Sequence, residues 1–260
     1  MLSDLAVNRF QYALTSGREM YRMINEKMRM SKTTIFNWLR RGAEFLVNCQ
    51  EIIKLWLLKP GTTLYCDESW VDTKVTESNG EVHYKKRYMW VLVNLTTKVC
   101  YYLFGDRKKE TIKDFLGDFK GTLMTDAYAA YLYFNKLKDC THVCCWSHVR
   151  RIFVSASRDY SDSLADEFIE LIGYVKIGSV LIDNNCCERA VRPFTNLRKS
   201  FGGFSSERGA KVAATYLTFV ETCKLMVKAP LDFFRRFFDM IIDGRRDYAL
   251  MTEALLVKPV

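Results

Sequence analysis

Asp67, Asp126 and Glu188 lie 59 and 62 positions apart, yet each stands where a fold can present a carboxylate. Asp67 follows a strand-like run in LYCDESW, Asp126 follows another in LMTDAYAAY, and Glu188 opens a helix in DNNCCERAVRPF. Gathered at one edge of a sheet, three carboxylates offer hard oxygen ligands for two divalent ions about 4 Å apart. Such a pair activates a nucleophilic oxygen, stabilises a leaving oxygen and neutralises the phosphate between them, as phosphodiester cleavage requires. Each residue also has a purely structural reading. An aspartate at a strand end serves as a turn or cap residue. With Asn185 as N-cap, Glu188 takes the third helical position of an Asn-x-x-Glu capping box. Position and charge alone leave both readings open.

The elements that must position these residues change character along the chain. Residues 1–60 read as helical, with apolar residues at helical spacing over Arg18–Met28 and Ser31–Cys49, and Ser31 as N-cap of the second helix. Lys59-Pro60-Gly61 then punctuates the chain. After it come Thr62–Cys66, Arg87–Asn94 (RYMWVLVN) and Lys98–Phe104 (KVCYYLF), three strand-like runs in a meander with a turn at Ser78-Asn79-Gly80. Lys109–Phe119 reads as a helix, Thr122–Thr125 as a strand, Tyr128–Lys136 as a helix and Thr141–Trp146 as a strand. Antiparallel strands followed by strand–helix alternation predict an α/β fold with a mixed sheet flanked by helices. If its first and fourth strands are neighbours, the two aspartates come close and a following helix can deliver the glutamate. Val212, Tyr216, Phe219, Cys223 and Met226 mark a core-facing helix, and residues 229–260 form a helical extension.

Composition narrows the partners. A net charge of +9, spread over folded clusters such as Arg40-Arg41, Arg150-Arg151 and Arg198-Lys199, suits a polyanion. No apolar run is long enough to span a bilayer, and Met1 to Phe10 lacks the pattern of a signal peptide. Nine cysteines without an export signal point to reduced thiols in a cytoplasm. His142, Cys144, Cys145 and His148 have the chemistry of zinc ligands. They lack paired C-x-x-C spacing, and a strand sets Cys144 and Cys145 on opposite faces, so the pattern speaks against zinc. The helix pair Arg18–Cys49 has the look of a helix-turn-helix, with Lys32, Thr33, Asn37, Arg40 and Arg41 available to bases and phosphates; a plain helical hairpin packed on the core explains it equally. Arg189 and Arg192 can hold phosphate oxygens, or Arg192 can pair with Glu188 along the helix. Pro193 is expected to kink or end that helix. The Gly202-Gly203 and Ser205-Ser206 loop precedes a helix whose N-terminus suits a phosphate, and is equally an ordinary cap.

Longer motifs go further. DNNCCERAVRPF, followed by LRKSFGGFSSERGA and FVETCK, resembles the C-terminal catalytic block of the insertion-sequence-66 family of DDE transposases. LYCDESWV, RYMWVLVN, LMTDAYAAY and CCWSHVRRIF are similar to that family's other blocks, in the same order, from about Ser31 to Lys228. The resemblance implies a ribonuclease-H-like core over residues 61–228, with Asp67, Asp126 and Glu188 as catalytic metal ligands for Mg²⁺ or Mn²⁺. It implies hydrolysis at element ends to expose a 3′-hydroxyl, and attack of that hydroxyl on target DNA. Double-stranded DNA is then the partner of a bacterial, cytoplasmic homo-oligomer, with His148, Arg151, Arg189, Arg192, Arg198 and Lys199 as candidate DNA contacts.

The chain departs from that pattern twice. Relatives carry further N-terminal sequence, with DNA-binding and zinc-binding parts that nothing here matches. They also have a longer helical segment between the second aspartate and the glutamate, whereas GYVKIGSVLIDNN reads as a join across a deletion. Three functions follow: a DDE transposase, a remnant that binds DNA without cutting it, and a ribonuclease-H-like nuclease without strand transfer.

Overall fold

The computed structural model describes residues 1–126, 128–160, 164–168 and 183–257. Its centre is a five-stranded sheet of β1 (Thr62–Thr76), β2 (Val82–Asn94), β3 (Val99–Gly105), β4 (Gly121–Thr125) and β5 (Cys140–Cys144), in the order β3-β2-β1-β4-β5. β1, β2 and β3 are antiparallel, while β4 and β5 run parallel to β1. This is the mixed sheet expected, with the first and fourth strands adjacent. β1 and β2 are longer than their apolar runs, because the hairpin around Gly80 extends beyond the core as a two-stranded arm with residues 80–86 exposed.

Helices flank the sheet. α1 (Leu2–Phe10), α2 (Ser16–Asn25) and α3 (Lys32–Leu57) come first; Ser31 caps α3 by accepting from the Thr34 N–H, as its type predicts. α4 (Lys109–Leu116) precedes β4. The segment Ala129–Lys136 is a 3₁₀ helix rather than an α-helix. α5 (Trp146–Tyr160), α6 (Asn185–Phe201), α7 (Glu207–Leu225), α8 (Pro230–Ile242) and α9 (Tyr248–Leu256) complete the chain. One apolar core runs from Leu5 to Leu256, so the three sections read from the sequence share it. No helix among the described residues is long and apolar enough to cross a membrane. All nine cysteines are free thiols.

α7 is buried well beyond the stripe read from its periodicity, from Ala213 to Cys223. It covers the exposed edge of β3: the Thr222 hydroxyl accepts from the Cys100 N–H (3.1 Å) and the Thr218 hydroxyl from the Tyr102 N–H (3.0 Å). Two ladder donors that would otherwise template foreign strands are thereby occupied. α6 continues through Pro193, contrary to expectation. The proline removes a single N–H from the ladder, and burial of Val191, Phe194 and Leu197 on the sheet side holds the helix together. At its end, Gly203 (φ +110°) passes over β1 so closely that a Cβ would lie 2.5 Å from the Asp72 carbonyl.

α3 and α7 pack closely at Gly42. A Cβ there would stand 2.4 Å from the Tyr216 hydroxyl and 3.0 Å from Phe238. Tyr216 cannot yield easily, since it is fully buried, stacks on Phe10 at 4.6 Å and donates to the Leu39 carbonyl. Gly42→Ala is therefore expected to lower stability by about 1–2 kcal/mol despite alanine's better helix propensity. A urea midpoint equal to or above that of the parent would show that the core yields here.

Candidate active site

The register of β1 and β4 decides where the two aspartates meet. Tyr65 and Met124 are their last paired residues, and two positions further along stand Asp67 and Asp126, abreast by the same register. β4 ends at Thr125, whereas β1 continues against β2 with Asp67 opposite Val91. Asp67 thus lies within its strand, not after it, at the point where the edge facing β4 comes free.

Glu188 arrives on α6, whose first turn is fastened to the same place. The Asn184 side-chain amide donates to the Cys66 carbonyl (2.9 Å), the Asn184 N–H donates to Cys145 Sγ (3.2 Å), and the Cys187 thiol donates to the Val91 carbonyl (3.1 Å). Cys66 precedes Asp67 and Val91 faces it. The N-cap is Asn184 rather than Asn185, because this buried amide is held by β1. Glu188 therefore occupies the fourth helical position, and the capping-box geometry is absent. The intrahelical pair with Arg192 is absent too. Glu188 instead accepts from Arg151 (3.2 Å), with His148 Nε2 at 3.8 Å.

Electrostatics records the convergence. Asp67 is pushed up to about 7, first by burial and then by the charge of Glu68, with Asp126 and Glu188 adding; the Glu68 backbone N–H, donating at 2.8 Å, opposes. Two carboxylates distant in sequence thus bear on a third. Asp126, half-buried, accepts from the Tyr128 N–H (3.0 Å). Glu68 is a fourth acid that the sequence reading passed over. On the opposite face of β1 it accepts from the Tyr131 hydroxyl (2.8 Å) and pairs with Arg107 (2.7 Å), so its carboxylate is already partnered. Its signal in the sequence was only its adjacency to Asp67.

The donors present fit a divalent ion. Oxygen ligands cluster at one edge, where burial first and the neighbouring carboxylates second raise the proton affinity of Asp67, and a bound cation would offset the charge of the ionised acid. A second donor set overlaps the first. Among the described residues, Cys145, His148 and Glu188 bring one ligand atom each within 4.8 Å of the others, and the three carboxylates are not drawn together so closely. The zinc-like pattern in the sequence is in this respect partly realised: β5 ends at Cys144, so Cys145 and His148 meet at the start of α5. Cys144 and His142 take no part, His142 being hydrogen-bonded to Thr125 and Asn135 at 2.8 Å each.

The candidate DNA contacts fare differently. Arg189, Arg192 and Lys199 are exposed, and none makes an ion pair among the described residues. Arg198 is committed to β1, donating to the Trp70 carbonyl (2.6 Å) and the Ser69 hydroxyl (3.2 Å) with its guanidinium over the Trp70 ring (4.4 Å). That contact, made through Nη1, fixes α6 to the sheet. On α3, Lys32, Thr33, Asn37 and Arg41 are exposed, Arg41 beside Glu44 at 3.3 Å, while Arg40 is half-buried. The proposed join falls largely on residues 169–182, outside the described residues.

A mixed sheet in this order, with acidic side chains gathered where β1 and β4 part, is the ribonuclease-H-like class expected from the sequence. The chain matches the family described as "Transposase IS66 family" over residues 1–176 and again over residues 169–212, and it belongs to that family. It is similar to the "Uncharacterized protein y4qI" of Sinorhizobium fredii (strain NBRC 101917 / NGR234), at 22% identity over 325 residues, covering 94% of this chain and 59% of that protein. Among solved structures it is similar to the "Drosophila P element transposase strand transfer complex", at 12% identity and a TM-score of 0.38, covering 97% of this chain and 63% of the other. The chain thus spans about three-fifths of the length of the relatives it matches.

Proposed function

We propose that this chain carries the DDE catalytic centre of a DNA transposase. The observation that carries the reading is that the β1–β4 register sets Asp67 and Asp126 abreast where Asn184 fastens the helix of Glu188 to β1, in a chain of this family. Asp67, Asp126 and Glu188 would hold Mg²⁺ or Mn²⁺, which supply charge neutralisation at the phosphate and activation of the attacking oxygen. Hydrolysis at an element end breaks the P–O3′ bond and leaves a 3′-hydroxyl; strand transfer joins that hydroxyl to a target phosphorus and expels a second 3′-oxygen. Exposed Arg189, Arg192 and Lys199 would bind phosphates of double-stranded terminal and target DNA. A homo-oligomer would hold the two element ends together.

A second reading, a DNA-binding remnant with impaired chemistry, has its own support. Glu188 faces Arg151 and His148, and the family match breaks into two pieces that meet at residues 169–176. The test is cleavage and strand transfer on terminal-repeat DNA with Mg²⁺ or Mn²⁺, comparing this chain with Glu188→Ala. Activity that vanishes in the variant establishes the enzyme. Equal, negligible rates with DNA binding retained establish the remnant.

A further inference from the structure

α1, the start of α2, α3, the end of α6 and the start of α7 line a half-open cavity of about 440 Å³ that shares no lining residue with the acidic cluster. Three guanidinium groups line it, Arg9, Arg40 and Arg208; Arg208 pairs with Glu44 (3.3 Å), whereas neither Arg9 nor Arg40 lies within 4 Å of a carboxylate among the described residues. Arg9 is clamped between the rings of Phe36 (4.8 Å) and Phe201 (4.2 Å) and donates to the Ser16 hydroxyl (2.8 Å). Burial lowers its pKa to about 10, which leaves it cationic at neutral pH. On Arg40, Nε is buried without any hydrogen-bond partner. Glu19 bears on Arg9 only from beyond ion-pair distance, and the buried Nε of Arg40 has no acceptor, so the two guanidinium groups leave donors in this cavity that an anion would satisfy.

The shape restricts which anion. A duplex cannot enter so small a space, whereas a volume of this size suits a single small ligand. Beside the guanidinium groups the walls are apolar and aromatic (Phe36, Phe201, Phe204), and the Ser205-Ser206 loop with the first turn of α7 closes the polar side. A forked guanidinium matches phosphate, and aromatic walls suit a base or sugar released from stacking. We propose that this cavity binds one nucleotide of an unpaired DNA strand, its phosphate between Arg9 and Arg40. The proposal rests on the reading of DNA as partner. It gives two sequence motifs a common purpose: the second helix of the helix-turn-helix-like pair and the Gly202–Ser206 loop form one pocket.

The test is fluorescence anisotropy in EDTA, which removes any dependence on metal chemistry. The probes are a short labelled single-stranded oligonucleotide and a blunt duplex of the same sequence, with unlabelled deoxynucleoside monophosphates as competitors. Because Arg9 also props Phe36 and Phe201 apart, the variants are Arg40→Gln and Ser205→Glu, each first shown to melt like the parent. Both should weaken single-strand binding by about tenfold or more, with Arg40→Gln reducing the salt slope by about one, while duplex binding changes less than about twofold. Unchanged single-strand affinity in both variants, or equal losses on the duplex, overturns the proposal. So does binding of the monophosphates alone, which would make the ligand a free nucleotide. Loss of the pocket with metal-dependent cleavage intact would leave the proposed function standing; a pocket that binds in a chain without cleavage would do the reverse.

Discussion

Asp67→Asn is expected to reduce metal-dependent cleavage of terminal-repeat DNA by on the order of a thousandfold or more, about 4 kcal/mol in the barrier. Asparagine keeps the shape of the side chain and can still accept from the Glu68 N–H. What disappears is the negative charge at Asp67, on which both of the other carboxylates of the proposed trio bear. Single-turnover rates, with folding checked by circular dichroism, are the measurement. A variant within tenfold of the parent would remove Asp67 from the catalytic machinery and with it the DDE reading. Asp126→Asn should behave similarly, since the β1–β4 register sets the two aspartates abreast.

The same residue makes the stability of the metal-free protein depend on pH. Its folded pKa stands at about 7 against an ordinary 3.8. Between those values the native state binds more protons than the unfolded chain, so stability falls as pH rises through the window and the loss is complete above about 7. The rise is worth on the order of 4 kcal/mol. Urea denaturation in EDTA should therefore give a lower stability at about pH 8 than at about pH 5, and Asp67→Asn should flatten the difference. Mn²⁺ or Mg²⁺ should restore stability chiefly at the higher pH, where the ligands are ionised. A parent protein whose stability is level across this range, or whose response to metal is the same at both ends, would show that Asp67 is not the buried acid of a metal site.

Much of this site was legible before any coordinates. Strand-like runs ending near Asp67 and Asp126 announced a sheet edge, and the change of period after Pro60 announced a mixed sheet. Both depend on local patterns of side chains, which a sequence displays openly. What stayed hidden depends on contacts between distant segments. The N-cap of α6 is Asn184 because Cys66, 118 positions earlier, holds its amide. Pro193 fails to break its helix because the sheet clamps the residues around it. Arg198 belongs to Trp70, and Arg40 to a cavity whose far wall lies on α6 and α7. Glu188 was read with the correct helix but without its neighbours, since nothing in its own segment names Arg151 or His148.

The hydrogen bonds from Asn184 and Cys187 to the sheet also bear on how such chains can change over generations. They locate Glu188 by reference to Cys66 and Val91, residues on β1 and β2, and make no reference to the stretch that leads into the helix. The position of the third acid is thereby uncoupled from the length of the preceding linker. The helix is berthed at its own mooring: its first turn is held by the backbone of β1 and β2, whose carbonyls persist whatever side chains the two strands carry.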